Sequence, residues 1–100
     1  MNREMMRQAQ QLQARLAKAQ QELEHQTVEA SAGGGAVTVI MTGQQKVVSV
    51  VIKPEAVDPD DIPLLEDLVI TAVNEALEKS RQLAASRLEA ITGGFKLPGM

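Results

Sequence analysis

The sequence has no cysteine, tryptophan or tyrosine, and one phenylalanine and one histidine in 100 residues. Without cysteine there is no disulfide scaffold, no thiolate metal site and no Cys nucleophile. A single histidine, His25, excludes a multi-histidine site within one chain. With so few aromatics the core must be built from Val, Leu, Ile, Met and Ala, which gives little bulk per residue. A short chain with such a core needs outside help, and with no cysteine to supply it the remaining source is a second copy. No run of about 18 apolar residues exists, so no membrane span is expected. The opening stretch MNREMMRQAQQ lacks the apolar segment of a secretory signal, and a cytosolic protein is expected. The apolar content of 44% fits a globular chain. The length fits one domain over residues 1–100, with 95–100 as a frayed tail.

Charge is segregated. The net charge of -3 conceals basic ends and an acidic middle. Arg3, Arg7, Arg15 and Lys18 stand against Glu4 in residues 1–21, whereas residues 54–78 hold eight acids and no base. Lys79, Arg81, Arg87 and Lys96 stand against Glu89 in the last segment. Asymmetry of this kind bears on partners more than the total does.

Residues 2–25 contain no glycine, proline or β-branched residue and are rich in helix formers. Met5, Ala9, Leu12, Leu16, Ala19 and Leu23 recur at steps of 4 and 3, a heptad-like seam. Such a helix is roughly 36 Å long, more than the ~30 Å width of a small domain, so part of it should project and seek a partner. Next come Thr27–Ala32, a turn at Gly33-Gly34-Gly35, the alternating run Ala36–Thr42, a turn at Gly43-Gln44-Gln45, and the β-branched run Lys46–Lys53 stopped by Pro54. Three short strands joined by tight turns read as an antiparallel meander. After a loop over Pro54–Asp61, in which Asp58-Pro59-Asp60-Asp61 offers an N-cap, a second helix is expected from Ile62 to Ile91. Its apolar positions cover more than half the circumference, whereas one sheet face needs a stripe of only about 100°. The surplus again points to an oligomer. Gly93-Gly94 ends the helix.

On the first helix Arg3, Arg7, Arg15 and Lys18 span about 120° with Gln11 among them, and their mean direction lies about 140° from the apolar seam. The seam can be buried while the cations face solvent, as phosphate binding requires. The plain alternative is a solvated face that keeps the helix soluble, and the pI of 5.1 lacks the basicity usual for nucleic-acid binding. Arg81 and Arg87 are second candidates for the same surface. Other features have structural readings. The triple glycine lacks the Lys-Ser/Thr pair of a phosphate loop and leads into a strand, so it is a turn. Asp58, Asp60 and Asp61 resemble the start of a calcium loop, but Pro63 and Val69 stand where that loop needs Gly and Glu. His25 closes the first helix, where the dipole favours a cation. No catalytic constellation is present and an enzyme is not expected.

The ordered set MMRQAQQLQARLAKAQQEL, GGGAVTVIMTG, VVIKPE, DPDDIPLLEDLVITAVNEAL and ITGGFKLPG resembles the YbaB/EbfC family of bacterial nucleoid-associated proteins across essentially the whole chain. The resemblance implies an α+β homodimer of α-β-β-β-α chains with projecting helical arms. It also implies binding of double-stranded DNA, a role in nucleoid organisation and gene regulation, and no catalysis, cofactor or small-molecule substrate. The turn Gln44-Gln45-Lys46 departs from the more glycine-rich form of the family. DNA contacts are assigned from charge geometry to Arg3, Arg7, Gln11, Arg15 and Lys18, then to Arg81 and Arg87. The alternative is a small dimeric adaptor that binds a protein partner through its arms. Because a chain with one aromatic residue has no stacking platform, duplex should be preferred to single strand of the same sequence. A gel-shift competition between the two forms checks this, with single-strand preference as the contrary result.

Overall fold

The N-terminal helix, α1, runs from Arg3 to His25, and Asn2 caps it by accepting the Met5 N–H at its Oδ1, 2.8 Å away. The structure, a computed structural model, describes residues 2–93. Extended backbone at Gln26 ends α1 and leads into β1 (Thr27–Ala32), β2 (Val37–Thr42) and β3 (Val47–Ile52). These form one antiparallel sheet in the order β1-β2-β3, as the alternation predicts. β2 and β3 each start one residue later than expected because Ala36 and Lys46 close the turns. The Ala36 N–H donates to the Gly33 carbonyl, and the Lys46 carbonyl accepts the Thr42 N–H at 2.8 Å. Gln45 takes a left-handed φ of 65° without being glycine, which is where the departure from a glycine-rich turn is felt. In β3, Val48 is an extra residue at a bulge, since Ile40 faces Ser49 while Met41 faces Val47.

The segment after β3 is not wholly irregular. Pro54–Ala56 form one 3-10 turn, for which proline's fixed φ is suited. The second helix, α2, runs from Ile62 to Thr92, capped by Asp61, whose Oδ1 accepts the Leu64 N–H at 3.3 Å. Asp58 instead shapes the preceding turn by accepting the Asp60 N–H at 2.9 Å. The proline in the first turn of α2 is Pro63, not Pro59. Gly93 stands at the helix end with right-handed helical backbone, so it is not a left-handed cap. Gly94 and the expected tail at 95–100 lie outside the described residues.

α2 lies across β1 and β2. Ala72, Ala76 and Ser80 are fully buried against Ala30, Ala32, Val37, Val39 and Met41. The Ser80 hydroxyl is satisfied by donating to the Thr42 carbonyl at 2.8 Å. Leu65, Leu68, Val69, Val73 and Leu77 flank this strip and remain half-buried. β3 is left out: Val47, Val48, Val50, Val51 and Ile52 are exposed although they alternate between the two sheet faces.

α1 is held to the sheet at one point of very close approach. The Gly43 N–H donates to both the Leu23 carbonyl at 3.0 Å and the Gln26 carbonyl at 2.9 Å. Beside it, the Gln44 amide donates to the Gln20 carbonyl at 2.6 Å. A Cβ at Gly43 would stand 2.6 Å from Leu23 Cδ2 and 3.1 Å from the Leu23 Cβ and carbonyl oxygen. The methyl group can rotate away; the backbone oxygen cannot without moving α1. Gly43→Ala is therefore expected to cost about 1–3 kcal/mol, lowering the melting temperature by roughly 5–20 °C at fixed protein concentration. Gly34→Ala meets nothing within 4 Å and should cost only its left-handed backbone, about 1 kcal/mol. Thermal melts of the two variants check the contrast.

Candidate nucleic-acid interface

The seam of α1 is buried progressively toward its C-terminal end. Met5 is 54% exposed, Leu12 and Leu16 are half-buried, and Ala19 and Leu23 are 3% and 4% exposed. The helix docks by its last two turns and projects at its N-terminal end, as its length predicts. The molecule measures 69 × 27 × 16 Å with a radius of gyration of 19.3 Å, against about 13 Å for a compact domain of this length.

Arg3, Arg7, Gln11, Arg15 and Lys18 are all exposed along this helix. Among the described residues none of the four cations makes an ion pair within the chain, and the one ion pair found joins Arg87 to Glu22. Gln8, Gln10 and Gln13 are exposed as well and add amide donors and acceptors along the same arm. Arg15 and Lys18 also border a hollow of about 250 Å³ between the helices. Ala19 and Glu22 complete its α1 side, and Arg87, Ala90 and Ile91 form its α2 side.

The structure thus brings Arg87 to Arg15 and Lys18 but not Arg81. Six residues separate the two arginines on α2, a rotation of about 120° net and a rise of about 9 Å. Arg81 is exposed on a different face and does not line the hollow. Lys79 is tied down, its Nζ donating to the Glu29 carbonyl at 2.8 Å, and Lys96 lies outside the described residues. Sequence reasoning missed Glu22 as the partner of Arg87. The two are 65 positions apart, and only the packing of α2 beside α1 brings them together. Among the described residues no cluster of His, Asp and Glu suits a metal ion, and no helix is long and apolar enough to cross a membrane.

A half-covered three-stranded sheet and a projecting helix with four exposed cations define an elongated α+β protein. The sequence profile of the YbaB/EbfC DNA-binding family matches residues 1–95, and the chain belongs to that family. A nucleoid-associated protein of Ruminiclostridium cellulolyticum is 52% identical over 97 residues, covering 96% of this chain and 84% of that one. Another, of Desulforamulus reducens, is 51% identical over 96 residues, covering 96% and 91%. Among solved structures, the uncharacterized protein HP0035 of Helicobacter pylori superposes with a TM-score of 0.75 over 96% of this chain and 99% of its own. At 13% identity that likeness speaks for the fold.

Proposed function

We propose that this chain is a nucleoid-associated protein that binds duplex DNA as a homodimer. The cations of α1 contact phosphates, and the protein acts in nucleoid organisation and gene regulation within the bacterial cytoplasm. The observation that carries the reading is the row Arg3, Arg7, Arg15 and Lys18, exposed and unpaired within the described chain on a helix that projects from the fold. Long cationic side chains spaced along one face suit a polyanion, and the glutamines among them add donors for backbone or base edges. Family membership and the names of the relatives support the same partner.

Homodimerisation is supported by what the single chain leaves bare. The five large side chains of β3, Met5 on α1, and Leu64, Ile70 and Leu88 on α2 are all exposed. The largest fully buried side chains are only Val37, Val39 and Ser80. Covering a valine or isoleucine gains on the order of 1–2 kcal/mol, and a second copy offers the matching surface. Val51 is 56% exposed, so Val51→Lys should be harmless to an isolated chain. If β3 lies in the dimer interface, the variant should dissociate. Sedimentation equilibrium at micromolar concentration is expected to show a dimer for the unaltered protein and a shift toward monomer for Val51→Lys. A monodisperse 10.8 kDa species for the unaltered protein is the contrary outcome.

In a dimer the α1 cations occur twice. If four to six reach phosphates, log K against log salt should fall with a slope of roughly -3.6 to -5.4. That is on the order of 10²- to 10³-fold in affinity over a fourfold salt change. Arg7→Ala with Arg15→Ala should flatten the slope by up to about 3.6 units on every duplex tested. Folding should change by less than about 0.5 kcal/mol, because both positions are surface-exposed. Lys46→Ala with Lys53→Ala, at the ends of β3, is the comparison expected to matter less. A folded, dimeric Arg7/Arg15 variant with unchanged affinity and slope would remove α1 as the binding surface. A shallow salt dependence throughout would favour an adaptor that pairs its arms with a protein.

A further inference from the structure

The hollow between α1 and α2 holds three cations and one acid. Arg87 donates to Glu22 Oε2, while Arg15 and Lys18 have no such partner among the described residues. Building on the duplex-binding reading above, we propose that Glu22 is an internal counter-ion that holds Arg87 until a DNA phosphate replaces it. The hollow is then a phosphate subsite, entered by exchanging one anion for another.

Three observations carry this. A guanidinium presents its fork of donors equally well to a carboxylate and to a phosphate, so Glu22 occupies Arg87 in the way a phosphate does. The pair is accessible: the side chains of Arg87 and Glu22 are 38% and 41% exposed. Exposed pairs are held weakly because solvent and salt screen them, so a polyanion approaching across Arg15 and Lys18 can displace the carboxylate. The hollow has room, since about 250 Å³ is several times the ~30 Å³ share of one water. Ala19, Ala90 and Ile91 supply the apolar part of its lining. Arg87 is thereby a contact residue, and Glu22 acts through it.

The test is fluorescence anisotropy with a labelled duplex of arbitrary sequence, titrated across salt concentrations, with a thermal melt of each variant. Glu22→Gln should bind about two- to fivefold more tightly, the size of an exposed pair, with the slope of the unaltered protein, because Arg87 reaches phosphate in both. Arg87→Ala should bind more weakly and flatten the slope by about 0.9 per subunit. Arg87→Lys should keep the slope. Adding Glu22→Gln to Arg87→Ala should give a smaller gain than Glu22→Gln gives alone, since only the relief of direct repulsion is left.

Several outcomes overturn the exchange. One is Arg87→Ala with unaltered affinity and slope, and another is a slope that steepens in Glu22→Gln. So is equal loss of binding in Arg87→Ala and Arg87→Lys, the mark of a helix clasp, or a Glu22→Gln gain that is undiminished without Arg87. Failure of the underlying reading looks different: the Arg7/Arg15 variant would then bind like the unaltered protein.

Discussion

α2 lies over β1 and β2 and does not extend over β3, and most of this structure follows from that placement. α2 approaches the sheet through Ala72, Ala76 and Ser80, residues small enough to let it settle onto β1 and β2. The closeness leaves no reach over β3, whose valines stay uncovered, and keeps the larger side chains of α2 at the margins of the core. α1 is held at the sheet's end, where Gly43 admits the backbone of Leu23, and beside the end of α2, where Arg87 donates to Glu22. The arm projects because both attachments lie in its C-terminal turns.

The acidic pI and the proposed polyanionic partner are reconciled by distance. The acids at Asp58, Asp60, Asp61, Glu66 and Asp67 lie at the start of α2 or just before it. Asp61 and Arg87 are 26 residues apart, about 39 Å along the axis. That is several times the ~8 Å Debye length at physiological salt. A phosphate at the arm is screened from those acids, so the local charge of α1 and the end of α2 governs its energy there. Glu4, Glu22 and Glu89 lie nearer the cations, and of these Glu22 lines the hollow with them.

Element type and order were legible from a few clear signals: heptad steps from Met5 to Leu23, alternation from Val37 to Met41, and Pro54 as a stop. The projection of α1 followed from its length alone. What sequence could not supply was set by packing across long separations. Ser80 sits in the buried strip although hydropathy would place it outside, because a backbone carbonyl at Thr42 receives its hydroxyl. The meeting of Arg87 with Arg15 and Lys18, but not Arg81, depends on which face of α2 turns toward α1. The apolar surplus of α2 foretold bare surface, but the barest element is β3, whose dense β-branched run reads as core until the helix is seen to stop short of it.

The same strand carries a liability wherever it stays uncovered. KVVSVVIK is valine-rich, unshielded on both faces and at the margin of its sheet, the composition and setting that template cross-β growth. Lys46 and Lys53 bracket it as gatekeepers, and the bulge at Val48 bends it away from the flat geometry that stacking fibrils require. The strand therefore carries its own protection against fibril growth.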